Sequence, residues 1–461
     1  MIALPLQKDT SRRSYEAFPP GPKRAFPGST FFRFCKDPLA FFENMAREFG
    51  DVSRFRLGRE DIVLVNHPEI IRDILLTSHS KFTKGRAFFR AGGLLGEGLL
   101  TSEGEFHRRQ RRMIQPAFHS RRIAGFAGAM IKHADRTRNR WHNGATLDVS
   151  REMMRLTLAV VAETLFGADL ESDTTEIGVA LTATMDTLSM KMVPVGKLLV
   201  RLPLPRIRRV QAGRAKLEEI IYRFINERRG SPQKHDDLLQ MLLEAQDEED
   251  STAQMTDKQV RDEAMTMLLA GQSTAPNTLA WTWYLLSEHP EVEARLHEEL
   301  DAVLGSRLPE LADLKALSYT EKVITETLRL YPPQWMMTRR ALNDYQASDY
   351  LVHAGSVVVV SQYVIHRDAR YFSEPLRFHP ERWTPEFKAT LPKYAYFPFG
   401  GGPRGCIGEG FAWMEMILTV ATLAQQWKLE LVPGHRVVPQ PLVTLRPKHG
   451  KHGLSMIALQ R

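Results

Sequence analysis

The sequence predicts a mainly α-helical protein with a small β region, and three observations predict it. Helix-patterned apolar stretches recur along the chain, the longest from Thr256 to about His289. β-Branched residues are dense only in short runs, at Val52 to Leu57, Ile62 to Val65 and Ser356 to Tyr363. No low-complexity linker or internal repeat divides the 461 residues, and a hydrophobic content of 43% can supply a sizeable core.

In chain order, residues 1–18 read as a flexible leading segment. Their short apolar start gives way to Lys8, Arg12 and Arg13, which suits neither a signal peptide nor a membrane span. Pro19-Pro20-Gly21-Pro22 makes a turn before the first strand-like run. In His107-Arg108-Arg109-Gln110-Arg111-Arg112, helical spacing puts His107 and Arg111 one turn apart on one side, with Arg108, Arg109 and Arg112 largely elsewhere. Taken alone, this is equally a basic surface helix or a nucleic-acid patch. Arg228 to Asp237 and Gln246 to Asp257 are polar and read as surface connections.

The long helix opens on a capping box, Thr256-Asp257-Lys258-Gln259, and stops before Pro290. Inside it, Pro276 cannot donate to the carbonyl of Gln272 and crowds it, so the helix should open there. A shorter helix, Val323 to Leu330, ends at Pro332-Pro333 and carries Glu326-Thr327-Leu328-Arg329, an acid and a base on one face. On its own that pair is equally a surface ion pair. The last helical run, Phe411 to Leu423, follows Phe399-Gly400-Gly401-Gly402-Pro403-Arg404-Gly405-Cys406-Ile407-Gly408.

That loop is the most informative stretch, because it sets one of only two cysteines in a glycine-rich turn beside a cation. Glycines let the backbone bend and approach a flat ligand. Amides of the following helix and a nearby guanidinium favour thiolate over thiol, so these residue types suit holding a metal by sulfur. A small buried cysteine in a tight turn is the plainer alternative. Two cysteines make no disulfide framework, and Cys35, beside Phe34, reads as a buried small apolar residue.

The loop matches F-x-x-G-x-R-x-C-x-G at every fixed position, and from about Pro19 to Leu445 the chain resembles the cytochrome P450 monooxygenases. The resemblance implies one large domain, 19–461, of the cytochrome P450 fold, with haem b held through Cys406 and with Phe399 and Arg404 beside it. A thiolate under haem iron pushes electron density onto the metal and favours O–O cleavage. His107 and Arg111 match the family's H-x-x-x-R grip on a haem propionate, which suits charge-assisted carboxylate binding. Arg339, in Thr338-Arg339-Arg340-Ala341, matches the other propionate partner, with Arg340 as a competing neighbour. Glu326, Arg329 and Arg382, the last in Pro380-Glu381-Arg382-Trp383, are implied to form a buried structural network behind the loop, paired because an uncompensated buried charge costs several kcal/mol.

Ala270-Gly271-Gln272-Ser273-Thr274-Ala275-Pro276 resembles the family's A-G-x-(D/E)-T. Gly271 falls where dioxygen must fit and Thr274 where protons are steered, while Ser273 replaces the usual acid. Serine relays a proton but supplies none at neutral pH. Two readings stay open: an ordered water on the Gln272 carbonyl completes a Ser273–Thr274–water relay, or Pro276 merely fixes a kink.

By the same resemblance the substrate pocket is apolar. Its expected walls are Phe88, Phe89, Leu94 and Leu95; Met185, Leu188, Met190, Met192 and Val193; Met267 and Leu268; Trp335, Met336 and Met337; and Val443 to Leu445. Methionines adapt to irregular apolar shapes, and any one of them is equally core packing. No acid or base cluster would fix a charged substrate. A terpenoid is the first expectation, a steroid-like ring system or fatty acyl chain the next.

The implied activity is insertion of one oxygen atom from dioxygen. With no flavin in this chain, electrons are expected from a ferredoxin- or flavodoxin-type donor with its reductase. A net charge of +8 and the cluster Arg108, Arg109 and Arg112 suit an acidic partner. Neither a nucleic acid nor a membrane anchor is expected, and a bacterial-type cytoplasmic location is. Two rivals are kept: a peroxide-using or isomerising haem-thiolate enzyme, and a non-catalytic haem sensor.

Overall fold

The computed structural model describes residues 18–23, 28–85, 95–167, 178, 181, 205–233, 235–247, 254–448 and 453–461. Residues 1–17 of the expected leading segment lie outside this set. So do the pocket candidates Phe88, Phe89, Leu94, Met185, Leu188, Met190, Met192 and Val193.

Helix α1 (Pro38–Phe49) starts on Asp37, whose side chain accepts the Ala40 N–H at 3.0 Å, with a proline in the first turn. It buries Phe41, Phe42 and Met45 beside the antiparallel pair β1 (Val52–Leu57) and β2 (Glu60–Val65). With β3 (Phe82–Lys84), β4 (Met337–Ala341) and β5 (Val357–Val360), these strands form a five-stranded sheet in the order β1–β2–β5–β4–β3, parallel only between β2 and β5. Strand β5 stops short of the expected Tyr363. The Ser361 hydroxyl accepts the Val364 N–H at 3.3 Å and starts a helical turn, Gln362–Ile365.

The helical body contains α2 (Gly104–Ile114), α3 (Ala127–Arg138), α4 (Val149–Phe166), α5 (Asp257–Glu288), α6 (Ser318–Leu330) and α7 (Glu409–Ala424). Helix α5 runs through its middle, packed chiefly on α4 and also on α6 and α7. The capping box is formed: the Thr256 N–H donates to Gln259 Oε1 at 2.8 Å and the Gln259 N–H to Thr256 Oγ1 at 3.3 Å. Contrary to expectation, α5 continues as α-helix through Pro276. The proline removes one donor, and side chains hold the neighbouring carbonyls: Asn277 Nδ2 donates to Ser273 O at 2.7 Å and Thr278 Oγ1 to Thr274 O at 3.2 Å.

A hairpin of β6 (Pro439–Pro441) and β7 (Leu445–Pro447) lies against α5, and a three-stranded sheet joins Thr146–Asp148, Ser455–Gln460 and Trp427–Leu431. Two expectations fail nearby. Cys35 is exposed, because Phe34, one helical step away, is the residue packed on Phe41 and Phe42. Arg228 and Asp237 are not a surface connection but a buried ion pair at 2.6 Å, and Arg228 also donates to the Phe166 carbonyl. Among the described residues, no helix is long and apolar enough to cross a membrane.

Candidate active site

The cysteine loop is built from backbone turns. The Cys406 N–H donates to Phe399 O at 2.9 Å, Gly400 N–H to Phe397 O at 2.9 Å and Gly405 N–H to Gly402 O at 3.0 Å. Gly402 has φ +66°, and a Cβ there would stand 1.9 Å from the Leu75 carbonyl oxygen. That glycine therefore serves a close approach of two backbones rather than of a flat ligand. Phe399 packs on Trp413, with ring centroids 5.7 Å apart.

Cys406 is accessible to solvent. Protein nonetheless surrounds it closely enough that burial pushes its thiol upward, with Glu409 adding to the rise and the Gly408 N–H and the Arg111 guanidinium opposing it. A side chain both accessible and enclosed lines an internal cleft. Of the thiolate-favouring groups read from the sequence, the amide is present at Gly408, while the guanidinium is that of Arg111 rather than of the loop's Arg404, and burial outweighs both.

From Arg111, beside this sulfur, a run of cations extends through Arg404 to Lys84 and Arg339. Arg111 NH1 donates to Gly405 O at 2.7 Å. Arg404 donates to Ser102 O at 2.7 Å and pairs with Glu103. Burial, reinforced by the charge of Arg404, lowers three neighbours: His107 to about 3, Lys84 to about 7 and Arg339 to about 10. Lys84 donates from Nζ to Leu99 O at 3.0 Å and Leu100 O at 2.5 Å, and its backbone N–H donates to Glu103 Oε1 at 2.9 Å. Arg340 is committed elsewhere, to Glu60 at 2.6 Å and Gly355 O at 2.5 Å, which leaves Arg339 as the cluster's arginine on β4. Glu263, beyond Lys84, is pushed up to about 8 by burial, so Glu103 is the carboxylate that faces this set. A buried surplus of positive charge calls for an anion. The two carboxylates of a haem carry the right charge for these guanidinium groups, and the enclosed thiol supplies the right metal donor.

Behind the loop, Glu326 and Arg329 are both 0% exposed. Arg329 grips Glu326 twice, through Nε at 2.9 Å and NH2 at 2.8 Å, and donates to the carbonyls of His366, Pro375 and Arg377. Arg382 Nε reaches Glu326 at 2.9 Å, as do the Trp383 indole at 2.9 Å and the His379 N–H at 3.0 Å. The expected triad is thus assembled and buried, with every glutamate oxygen bonded.

On α5, Ala270 is exposed while Met267, Gly271, Ser273 and Thr274 are half-buried, although the turns on either side are buried. Residues 267, 270 and 274 share one helix face, so this face borders an internal cleft. Thr274 Oγ1 donates to Ala270 O at 2.9 Å and Ser273 Oγ to the same carbonyl at 3.4 Å. Gly271 departs from its expected placement: a Cβ there would stand 2.7 Å from Val161 Cγ2, so its bareness lets α5 approach α4. Ala270 is the small residue on the cleft.

The described pocket candidates divide. Met267 is half-buried on the cleft face, Leu268 and Leu95 are buried in the main core, and Val443 is partly buried against it. Trp335 is corrected to a core residue: it is 3% exposed, packs at a tilt with its ring centroid 5.8 Å from that of Phe42 and donates its indole N–H to Leu442 O at 2.8 Å. Met336 packs on that same cluster, while the Met337 sulfur lies 3.4 Å from where a Gly400 Cβ would be. The arginines expected to suit an acidic partner each have an acidic neighbour in the chain, Arg108 with Glu105, and Arg109 and Arg112 with Asp247 at 2.6 and 3.6 Å. Sequence reasoning missed Lys84, Glu103 and His366, and it quoted Trp383 and Ala270 within the Arg382 and Gly271 motifs without giving either a role.

A mainly helical body around an enclosed thiol, faced by surplus buried cations, has the donor set of a haem-thiolate protein. Residues 19–454 match the family model described as Cytochrome P450, and the chain belongs to that family. It is 40% identical over 399 residues to cyclooctat-9-en-7-ol 5-monooxygenase of Streptomyces melanosporofaciens, covering 86% of each chain. It is 34% identical to pentalenene oxygenase of Streptomyces avermitilis, covering 90% of this chain and 92% of that one. Its fold is similar to the crystal structure of the cytochrome P450DA haem domain, with TM-score 0.87, 26% identity and coverage of 96% and 98%. The protein is a cytochrome P450 monooxygenase of the bacterial kind, a family that works with a haem-thiolate cofactor, dioxygen and an external redox partner.

Proposed function

We propose that this monooxygenase oxygenates a terpenoid, with Cys406 as the iron ligand. The observation that carries the reading is the enclosed but accessible Cys406 with Arg111 beside it, from which a surplus of cations continues through Arg404 to Lys84 and Arg339. When bound, haem supplies oxygen activation that no side chain offers. Arg111, Arg339 and Arg404 would hold its propionates by charge-assisted hydrogen bonds, and His107, kept neutral by burial, would offer a ring nitrogen beside them. The Glu326–Arg329–Arg382 network fixes the loop that presents the sulfur. Thr274 and Ser273 hold and pass protons at their hydroxyl oxygens, with a water on the Gln272 carbonyl standing in for the missing acid. Met267, Ala270 and Val443 shape an apolar wall that orients the substrate and excludes bulk water.

The terpenoid reading rests on the relatives named for cyclooctat-9-en-7-ol and pentalenene, together with that apolar wall. A single domain from 19 to 461, no flavin of its own, a ferredoxin- or flavodoxin-type donor and a cytoplasmic location complete it. The last is supported by two free cysteines. The test is an optical titration of the haem-loaded protein with terpene hydrocarbons, steroids and fatty acids, following the low-spin to high-spin shift. A saturable shift with terpenes alone is expected. A shift only with steroids or fatty acids overturns the substrate class, and failure of Cys406→Ser to change the spectrum overturns the ligand.

A further inference from the structure

The turn that carries Val443 is held from two sides. On one, the segment after α6 grips it: Leu445 N–H donates to Pro333 O at 2.8 Å and the Trp335 indole to Leu442 O at 2.8 Å. On the other, α5 grips it one turn apart. Asn277 Nδ2 donates to Thr444 Oγ1 at 3.2 Å and the Trp281 indole N–H to Leu445 O at 3.3 Å. Asn277 is the unusual member. The same amide nitrogen that reaches Thr444 also donates to the Ser273 carbonyl at 2.7 Å, and both side chains are buried, Asn277 to 6% and Thr444 to 7% exposure. Ser273 and Thr274 are adjacent on the cleft face, and Pro276 has removed the backbone donor that the Gln272 carbonyl would otherwise use. Beside the Gln272 carbonyl that has lost its donor, the helix is therefore stitched at Ser273 by an amide that also holds the Val443 turn.

We propose that Asn277 is a positioning residue that registers the Val443 turn against the Ser273–Thr274 stretch, so that one amide sets both where the substrate lies and how the proton-passing segment is held. The inference rests on the monooxygenase site described above. Three consequences follow from its chemistry. Loss of Asn277 leaves the Thr444 hydroxyl buried without this partner, and loss of the Thr444 hydroxyl leaves the Asn277 amide tied to Ser273 alone. The two losses are one event, so they do not add. Thr444→Ser, which keeps the hydroxyl, restores what Thr444→Val removes.

The experiment uses the haem-loaded full chain as parent, Asn277→Ala, Thr444→Val, the double variant and Thr444→Ser. The first readout is backbone hydrogen exchange at Leu442 and Leu445 without substrate. The second is peroxide released per electron pair consumed, with a ferredoxin and its reductase and pentalenene as probe. Both single variants are expected to speed exchange at these amides by about three- to ten-fold, the double no further, and Thr444→Ser not at all. Peroxide release should rise together in the same three variants with haem content unchanged. Exchange at the parental rate in Thr444→Val, or effects that add in the double variant, would overturn the proposal, and Thr444→Val keeps the test intact should Asn277→Ala fail to fold. If the parent does not bind or turn over pentalenene, the substrate reading fails separately and exchange alone decides the register.

Discussion

The backbone N–H of Phe397 donates to the ring Nε2 of His366 at 3.1 Å, and Arg329 donates to the carbonyl of that same histidine at 2.9 Å. Because Nε2 accepts, the ring proton sits on Nδ1, and burial holds the imidazole neutral, its pKa well below the ordinary histidine value. The Phe397 carbonyl then receives the Gly400 N–H, which starts the cysteine loop. His366 thus joins the buried ion-pair network to the loop that presents the sulfur. His366→Ala should strand the Phe397 N–H at a cost of about 1–3 kcal/mol. Purified protein should show a lower haem-to-protein ratio and melting temperature. Parental values for both would remove His366 from this role.

Arg329→Ala is the harsher change. It leaves Glu326 buried with one cation fewer, takes the Arg329 donor from the His366 and Pro375 carbonyls, and leaves Arg377 O to Arg382; breaking a buried pair from one side costs about 3–5 kcal/mol. The expected outcome is protein recovered without haem. Arg329→Lys should fail similarly, since a point charge cannot reproduce five bonds from a planar fork. A stable, haem-loaded Arg329→Ala protein would refute the network's structural role.

Much of this was legible in the sequence for a physical reason. Cys406 lies in a short local pattern whose chemistry needs those residue types at that spacing, Glu326, Arg329 and Arg382 became legible as a network only through the family resemblance, and the strand Val52–Leu57 and the capped start of α5 follow from period and cap alone. What was not legible depends on pairings remote in sequence. Nothing near Lys84 announces that its ammonium will meet Leu99 and Leu100 or that Arg404 will lie close by. Nor does a sequence tell which glycine faces a neighbouring helix: Gly271 and Ala270 are adjacent, and only the packing of Val161 assigns their faces. Trp335 misled for the same reason, since an aromatic beside two methionines reads as a pocket wall until Phe42 is found against it.

Glu263 gives the fold a pH dependence. Burial raises its carboxyl to about 8; Asp262 adds to the rise, and the Leu99 N–H and Lys84 oppose it. Between its ordinary pKa near 4.5 and about 8, the folded chain binds more protons than the unfolded one, so Glu263 lends stability at low pH that is lost as pH rises through 8. Lys84, lowered to about 7, works in the opposite sense above that pH. Glu263→Gln keeps an acceptor for Leu99 and cannot ionise. It should match the parent at pH 5 and exceed it by roughly 1–3 kcal/mol at pH 8. Melting curves of the haem-loaded proteins at the two pH values check this; a constant difference would show that Glu263 does not titrate in that window.

Thr274 and Ser273 both donate to the Ala270 carbonyl, so either hydroxyl can turn its O–H off that carbonyl to pass a proton on while its oxygen accepts another. Thr274→Ala should raise peroxide released per electron pair by about ten-fold, in line with the 10²–10⁴ range of positioned proton donors discounted for the neighbouring serine. Ser273→Asp should lower it, because a carboxyl can supply as well as relay. Equal peroxide release in parent and Thr274→Ala would rule out the threonine as a proton carrier.

Gly271 and Ala270 separate packing from chemistry within two residues. A methyl at 271 must displace Val161, and overpacking costs about 1–3 kcal/mol, offset by up to about 1 kcal/mol of helix propensity. Gly271→Ala should therefore lower the melting temperature modestly while leaving substrate turnover within about two-fold of the parent. Ala270 points at the cleft with no partner to displace, so Ala270→Val should change stability by less than about 0.7 kcal/mol. Its extra methyls occupy space beside Thr274, and turnover should fall by ten-fold or more. Side-by-side melting and turnover measurements decide the assignment. If Gly271→Ala abolishes turnover at parental stability while Ala270→Val is active, the cleft face has been placed on the wrong residue.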